Sequence, residues 1–170
     1  MKKLFAIVII LLAFSASSFA QATASANAHA TIVTPIGIAW VDDMNFGNVA
    51  VTDVAGTVIL APDDSRTITG GVTLPVVTGT VTAATFTVTG TPAYTYAITL
   101  PTDDHVIENT TAGVQTMIVN VFTSDPTPTG ALDGSGTQQL NVGATLNVGA
   151  LQEAGVYTSV TPFDVTVNYN

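Results

Sequence analysis

The run Gln21-Ala22-Thr23-Ala24-Ser25-Ala26-Asn27-Ala28-His29-Ala30-Thr31-Ile32 puts an apolar side chain at every second position. In extended backbone, successive side chains point to opposite faces. Ala22, Ala24, Ala26, Ala28, Ala30 and Ile32 would line one face, and Gln21, Thr23, Ser25, Asn27, His29 and Thr31 the other. A helix would scatter both sets around its surface. The period predicts a strand, and it runs on through Ile36, Ile38 and Trp40 in the same register. Pro35 lacks the N–H that a ladder needs, which marks an edge or a bulge at that point. The stretch from Ala22 to Ile38 fits a first strand that completes its own molecule's sheet, and equally one that completes a neighbour's.

Upstream, Met1-Lys2-Lys3 precede an apolar run from Leu4 to Phe14 and then Ser15 to Ala20. A basic start, an apolar stretch too short to span a bilayer and Ser18-Phe19-Ala20 at the end have the form of a secretory signal peptide, residues 1–20. Ala24-Ser25-Ala26 and Ala28-His29-Ala30 also satisfy the small-x-small rule for cleavage. Cleavage after Ala20 leaves 150 of the 170 residues, enough for one domain with a real core, residues 21–170. A secreted, extracellular or cell-surface location is expected.

Removing Lys2 and Lys3 leaves Arg66 as the single Lys or Arg against 12 Asp and Glu, a balance of −11. Nucleic acid is excluded as a partner, because phosphate binding requires clustered cations. No second apolar segment follows the leader, so the mature chain is not expected to insert into a membrane. The absence of cysteine excludes disulfides, thiolate metal sites and a lipid-modified Cys anchor.

The remainder reads as short strands and turns. Ala84 to Thr89 and Tyr94 to Leu100 both alternate around Gly90-Thr91-Pro92, so residues 83 to 100 are expected to form a hairpin. Val114 to Thr123 carries apolar residues on both faces and reads as a strand covered on both sides. Ser124 to Gly136 reads as a loop. Leu140, Val142, Leu146 and Val148 read as two short strands parted by Gly143, and Phe163 to Asn170 as a closing strand. With heavy Thr and Val usage and no helical period beyond the leader, the fold class is all-β, an immunoglobulin-like or jelly-roll-like β-sandwich.

Candidates for chemistry are few. Asp42-Asp43, Asp63-Asp64 and Asp103-Asp104 are acidic pairs in turns. Loop carboxylates suit calcium, but none of these has the spacing of a dedicated calcium loop, and turn chemistry explains them equally. His105 follows an acidic pair as a base follows its orienting acid, yet Gly134-Ser135-Gly136 lacks the frame of a nucleophile elbow. No enzymatic activity and no cofactor are expected. Trp40, Tyr94, Tyr96, Tyr157 and Tyr169 could stack on sugars, although packing is the commoner use of such residues. Asn109-Thr110-Thr111 has the form of a glycosylation acceptor.

Several segments together resemble a known bacterial family. They are Ala30-Thr31-Ile32-Val33-Thr34-Pro35-Ile36-x-Ile38, Met44-Asn45-Phe46-Gly47, Gly70-Gly71-Val72, Phe86-x-Val88-x-Gly90, Tyr96-x-Ile98-x-Leu100-Pro101 and Val142-Gly143-Ala144-Thr145-Leu146. The family is domain of unknown function 4402, similar in turn to spore-coat-U and chaperone–usher pilin subunits. The C-terminus, with Phe163, Val165, Val167 and Tyr169 at alternate positions, resembles the pilin pattern of a penultimate aromatic preceded by apolar residues. Gly155 lies farther from the end than the pilin glycine, and the pilin disulfide is absent. The resemblance implies a non-enzymatic, fimbrial or coat-like structural subunit that assembles by β-strand addition. Its partners would be further copies or related surface subunits, with a possible periplasmic chaperone. The assembly strand would present Ala22, Ala24, Ala26, Ala28, Ala30, Ile32, Ile36 and Ile38, and Phe163 to Tyr169 would be its contact. The competing reading is a monomeric extracellular module binding glycan or calcium.

Overall fold

The computed structural model describes residues 21–111 and 115–170. The expected signal peptide, residues 1–20, lies outside the described residues. The chain divides into two units, Met1–Ile32 and Val33–Asn170. In the first, residues 21–32 are exposed and carry no strand. Within a single copy, the segment expected as a strand from Ala22 therefore forms none. Residues 21–36 join no ladder, and the first strand begins at Gly37. Small alanine faces bury little area each, so they give an isolated ribbon little reason to pack.

The second unit is all-β, with antiparallel sheets and no helix among the described residues. Its strands are β1 (Gly37–Asp42), β2 (Ala50–Leu60), β3 (Arg66–Thr73), β4 (Ala84–Thr89), β5 (Thr95–Thr99) and β6 (His105–Asn109). They continue with β7 (Thr116–Asp125), β8 (Thr129–Ala131), β9 (Thr137–Val148), β10 (Tyr157–Ser159) and β11 (Thr166–Tyr169). The large sheet runs β1-β4-β9-β7-β6-β10, with β2 pairing both β9 and β3. A second sheet has the order β11-β5-β8.

The strand β9 is central. Leu140, Val142, Ala144, Leu146 and Val148 are buried, while the odd-numbered Thr137, Gln139, Asn141, Thr145 and Asn147 face the other way. The period of two runs unbroken through Gly143, so the two expected short strands are one strand of 12 residues. On one edge, residues 137–142 pair with β4 and residues 144–148 with β2. Gly143 sits at that changeover, where the chain leaves β2 through Ala61. A Cβ there would lie 2.2 Å from the Leu60 carbonyl oxygen.

The core has two parts. Tyr96, Val167 and Leu132 from the small-sheet side pack against Ala84, Val88, Leu140 and Val142 of the large sheet. The second part gathers Val58, Val72, Val119, Ala144, Leu146 and Val148 on the large sheet, with Phe46 and Val49 among the residues packed against it. Met44 and Phe122 pack against both. The expected hairpin over 83 to 100 does not form. β4 pairs β1 and β9, whereas β5 pairs β11 and β8, so the Gly90 turn carries the chain between sheets.

The expectation for Val114 to Thr123 is also corrected. Register shifts between Asn120 and Thr123, and Val121 takes a left-handed φ of 49°. Val121 thereby turns outward, 69% exposed, and Phe122 turns to the core. Ile118 stays on the open face. The expected loop from Ser124 to Gly136 contains β8.

Two outcomes follow from this packing. Gly143→Val keeps β propensity but forces a side chain onto the Leu60 carbonyl, so it should cost about 1–3 kcal/mol, as overpacking does. Urea denaturation measures this, and parental stability would contradict the changeover at Gly143. The second concerns Asp133, whose carboxylate accepts from the Thr137 amide at 3.0 Å, the Ser135 hydroxyl at 2.7 Å and the Ser135 amide at 2.8 Å. These bonds, led by that of the Thr137 amide, hold its pKa down to about 2 from the ordinary 3.8. A depressed carboxylate contributes stability above its unfolded pKa and loses it as pH falls through the folded value. Asp133→Asn should therefore reduce the loss of stability between about pH 4 and pH 2, seen as a shallower acid limb in thermal melts. An unchanged limb would contradict it.

Candidate assembly site

The two sheets meet without a ladder at one place. β1 ends the large sheet and β11 ends the small one; they lie beside each other, yet no strand pairing joins them. Ile36 and Ile38 on the β1 side, and Phe163, Val165, Val167 and Tyr169 on the C-terminal side, pack into the first core part. This seam combines an apolar lining with two strand edges that have no ladder partner on that side among the described residues. Of the four C-terminal contacts expected from the alternation, Val167 and Tyr169 lie on β11. Phe163 and Val165 precede it and still pack inward.

Tyr169 does more than fill space. Its hydroxyl donates to the Thr34 carbonyl at 2.7 Å and accepts from the Thr91 amide at 2.7 Å. Thr91 closes the arrangement, because its Oγ1 accepts from the Thr34 amide at 2.8 Å. Gly90 makes this possible, since a Cβ there would lie 2.2 Å from the Tyr169 oxygen. Tyr94 stacks edge-to-face on the Tyr169 ring at 5.5 Å. The penultimate residue thus fastens the chain at Thr34, two residues after Ile32. Alternation marks Tyr169 in the sequence, whereas Thr34 stands beside Pro35, and Gly90 and Thr91 in a turn, with nothing local that joins them to Tyr169.

Residues of the expected assembly strand divide into two groups. Ala22, Ala24, Ala26, Ala28, Ala30 and Ile32 are exposed, Ile32 at 97%. Ile36 and Ile38 are half-buried in the domain that follows them, so they belong to the lining of the seam.

The acidic pairs serve local structure. The Asp43 carboxylate accepts from the Trp40 indole N–H at 3.1 Å. Asp63 accepts from the Ser65 hydroxyl and amide, which hold its pKa below the ordinary value, the hydroxyl most strongly. Asp64 accepts from the Ala83 amide at 2.6 Å, and Asp104 from the Asn120 amide group at 2.8 Å. Asp42 ends β1, and Asp103 precedes β6 in the connection from β5. Among the described residues, no three His, Asp or Glu side chains come together as a metal site would require.

The remaining candidates are dispersed in the same way. His105 Nε2 meets the Ser159 hydroxyl at 2.9 Å and packs edge-on to Phe163, while Ser135 is bound to Asp133. Among the aromatics, Tyr96 is fully buried, and the Tyr157 hydroxyl donates to the Glu153 carbonyl of its own loop. Asn109 is 6% exposed beneath Gly155, its Oδ1 accepting from the Thr111 amide, so this acceptor motif is occluded in the fold.

Comparison with known proteins bears on identity rather than activity. No curated protein matches the chain. A family model described as a domain of unknown function, DUF4402, matches residues 36–169, which includes all eleven strands described above. With most of its length covered, the chain belongs to the DUF4402 family.

Proposed function

We propose that the protein is an exported, non-enzymatic structural subunit of a pilus-like or coat-like surface assembly, joined to its neighbours by β-strand addition. One observation carries this reading. The segment with the clearest strand alternation, Ala22 to Ile32, is exposed and joins no ladder among the described residues, although each copy also has a seam between β1 and β11 that no ladder closes. A neighbour's segment laid along that seam would pair its backbone with a free edge and set alternate side chains against the apolar lining. The donated part ends at Ile32, because Ile36 and Ile38 are held by their own domain. Thr34, fastened by Tyr169 and Thr91, gives the segment a fixed point of departure.

The energetics favour the ladder over the side chains. Each backbone hydrogen bond contributes about 0.5–1.5 kcal/mol net, and alanine faces add little at about 25 cal/mol per Å². The joint therefore depends on length and on Ile32. A chain of −11 after loss of its leader gains nothing from charge attraction between copies, and backbone pairing is the kind of contact that needs none. A periplasmic chaperone would act at the same seam, covering it until a neighbour's strand arrives.

Deleting residues 21–31 tests this reading. Purified mature protein should give a ladder of oligomers on size exclusion, and the deleted form should lose that ladder, leaving no species larger than a dimer, with its melting temperature preserved. A mature chain that is monomeric with or without the segment would overturn the proposal, and calcium-dependent stabilisation of that monomer would favour the binding-module reading.

A further inference from the structure

The strand β3 is open along its outer side, since among the described residues it is paired only with β2. Proteins usually block such edges with charge, proline, a bulge or brevity. Outside the seam formed by β1 and β11, the other strands that end a sheet are short: β8 and β10 have three residues each. β3 has eight residues, with neither a carboxylate nor a proline among them. Its register against β2 is unbroken from Arg66 to Gly70, and the irregularity comes after.

Two features of Arg66-Thr67-Ile68-Thr69-Gly70 say what fits this edge. Ile68 stands opposite Val58, which is fully buried, so Ile68 faces the same inner side of the sheet. It is nevertheless 39% exposed, because the sheet stops there. The sequence is also symmetric about Ile68, with a threonine on each side. Antiparallel pairing about a twofold axis through Ile68 would set Ile68 opposite Ile68 and each Thr67 opposite a Thr69, an isologous contact. Arg66, the single cation of the mature chain, donates to its own Phe46 and Asn48 carbonyls. The edge therefore presents no carboxylate to a partner of the same negative charge.

We propose that β3 pairs with β3 of a second copy, continuing the large sheet across two molecules. This contact is independent of strand donation at the seam, which lies at other strands. Together, a head-to-tail joint at the seam and a twofold joint at β3 would build a two-dimensional array, whereas the seam alone builds a fibre.

The absence of cysteine makes the test direct. Full mature protein carrying Ile68→Cys is oxidised and compared with protein carrying Val106→Cys, a site of similar exposure at 40% on β6. Opposed residues in a ladder have Cβ atoms about 4.5–5.5 Å apart, close enough for a disulfide after a small adjustment. Ile68→Cys should form covalent dimer at least about tenfold faster than Val106→Cys, because pairing raises the effective concentration of the two thiols. Equal rates, or no dimer from Ile68→Cys, would overturn the proposal. Ile68→Lys, which places a charge at the twofold axis, should shift sedimentation toward the species lacking the β3 contact, and unchanged sedimentation would count equally against it. Both substitutions leave residues 21–32 intact, so loss of strand donation, read by the deletion above, is a separate result.

Discussion

A single strand holds the large sheet together. β9 pairs β4 and β2 in succession along one edge and β7 along the other, so three neighbours depend on one continuous backbone. Its inward side chains supply Leu140 and Val142 to one core part and Ala144, Leu146 and Val148 to the other. The alternation must therefore hold through the changeover, and a glycine is required there because the departing β2 chain crosses within 2.2 Å of where a Cβ would lie. With the centre closed in this way, what is unsatisfied in the molecule collects at its margins.

Those margins are where the functional reading lies. At the seam, β1 and β11 close the core with Ile36, Ile38, Val167 and Tyr169 but exchange no ladder. The Tyr169 hydroxyl, accepting from the Thr91 amide and donating to the Thr34 carbonyl, ties the last strand to the start of the domain across 135 positions of sequence. One residue thus lines the seam and holds Thr34 at the start of the domain. The acidic side chains Asp63, Asp64, Asp104 and Asp133 are engaged in hydrogen bonds within the fold, and β3 carries no carboxylate.

How much of this the sequence shows depends on the range of the interaction. The fold class follows from local period and turn residues, and the inward set of β9 is readable from Leu140, Val142, Leu146 and Val148. Gly143 misleads because glycine commonly marks a break, whereas here it admits a crossing chain. The Gly90 turn misleads for a related reason. Two alternating runs around a tight turn look like a hairpin, but the partners of β4 and β5 are chosen by packing of distant strands. Val121 and Phe122 exchange faces through a bulge that no local pattern announces. At the site, Tyr169 and the alternating segment are legible, being periodic. Thr34, Gly90 and Thr91 are not, because only the folded chain brings them to Tyr169. The edge at β3 is likewise set by strand order, which no local pattern encodes.

The central claim is that residues 21–32 are unpaired in an isolated copy and become a strand when a neighbour's seam receives them. Amide hydrogen exchange on separated monomer and oligomer measures this directly. The account predicts rapid exchange from Gln21 to Ile32 in the monomer, strong protection of the same amides in the oligomer, and a matching gain of protection in β1 or β11. Equal exchange of that segment in both species, whether fast or slow, would contradict it.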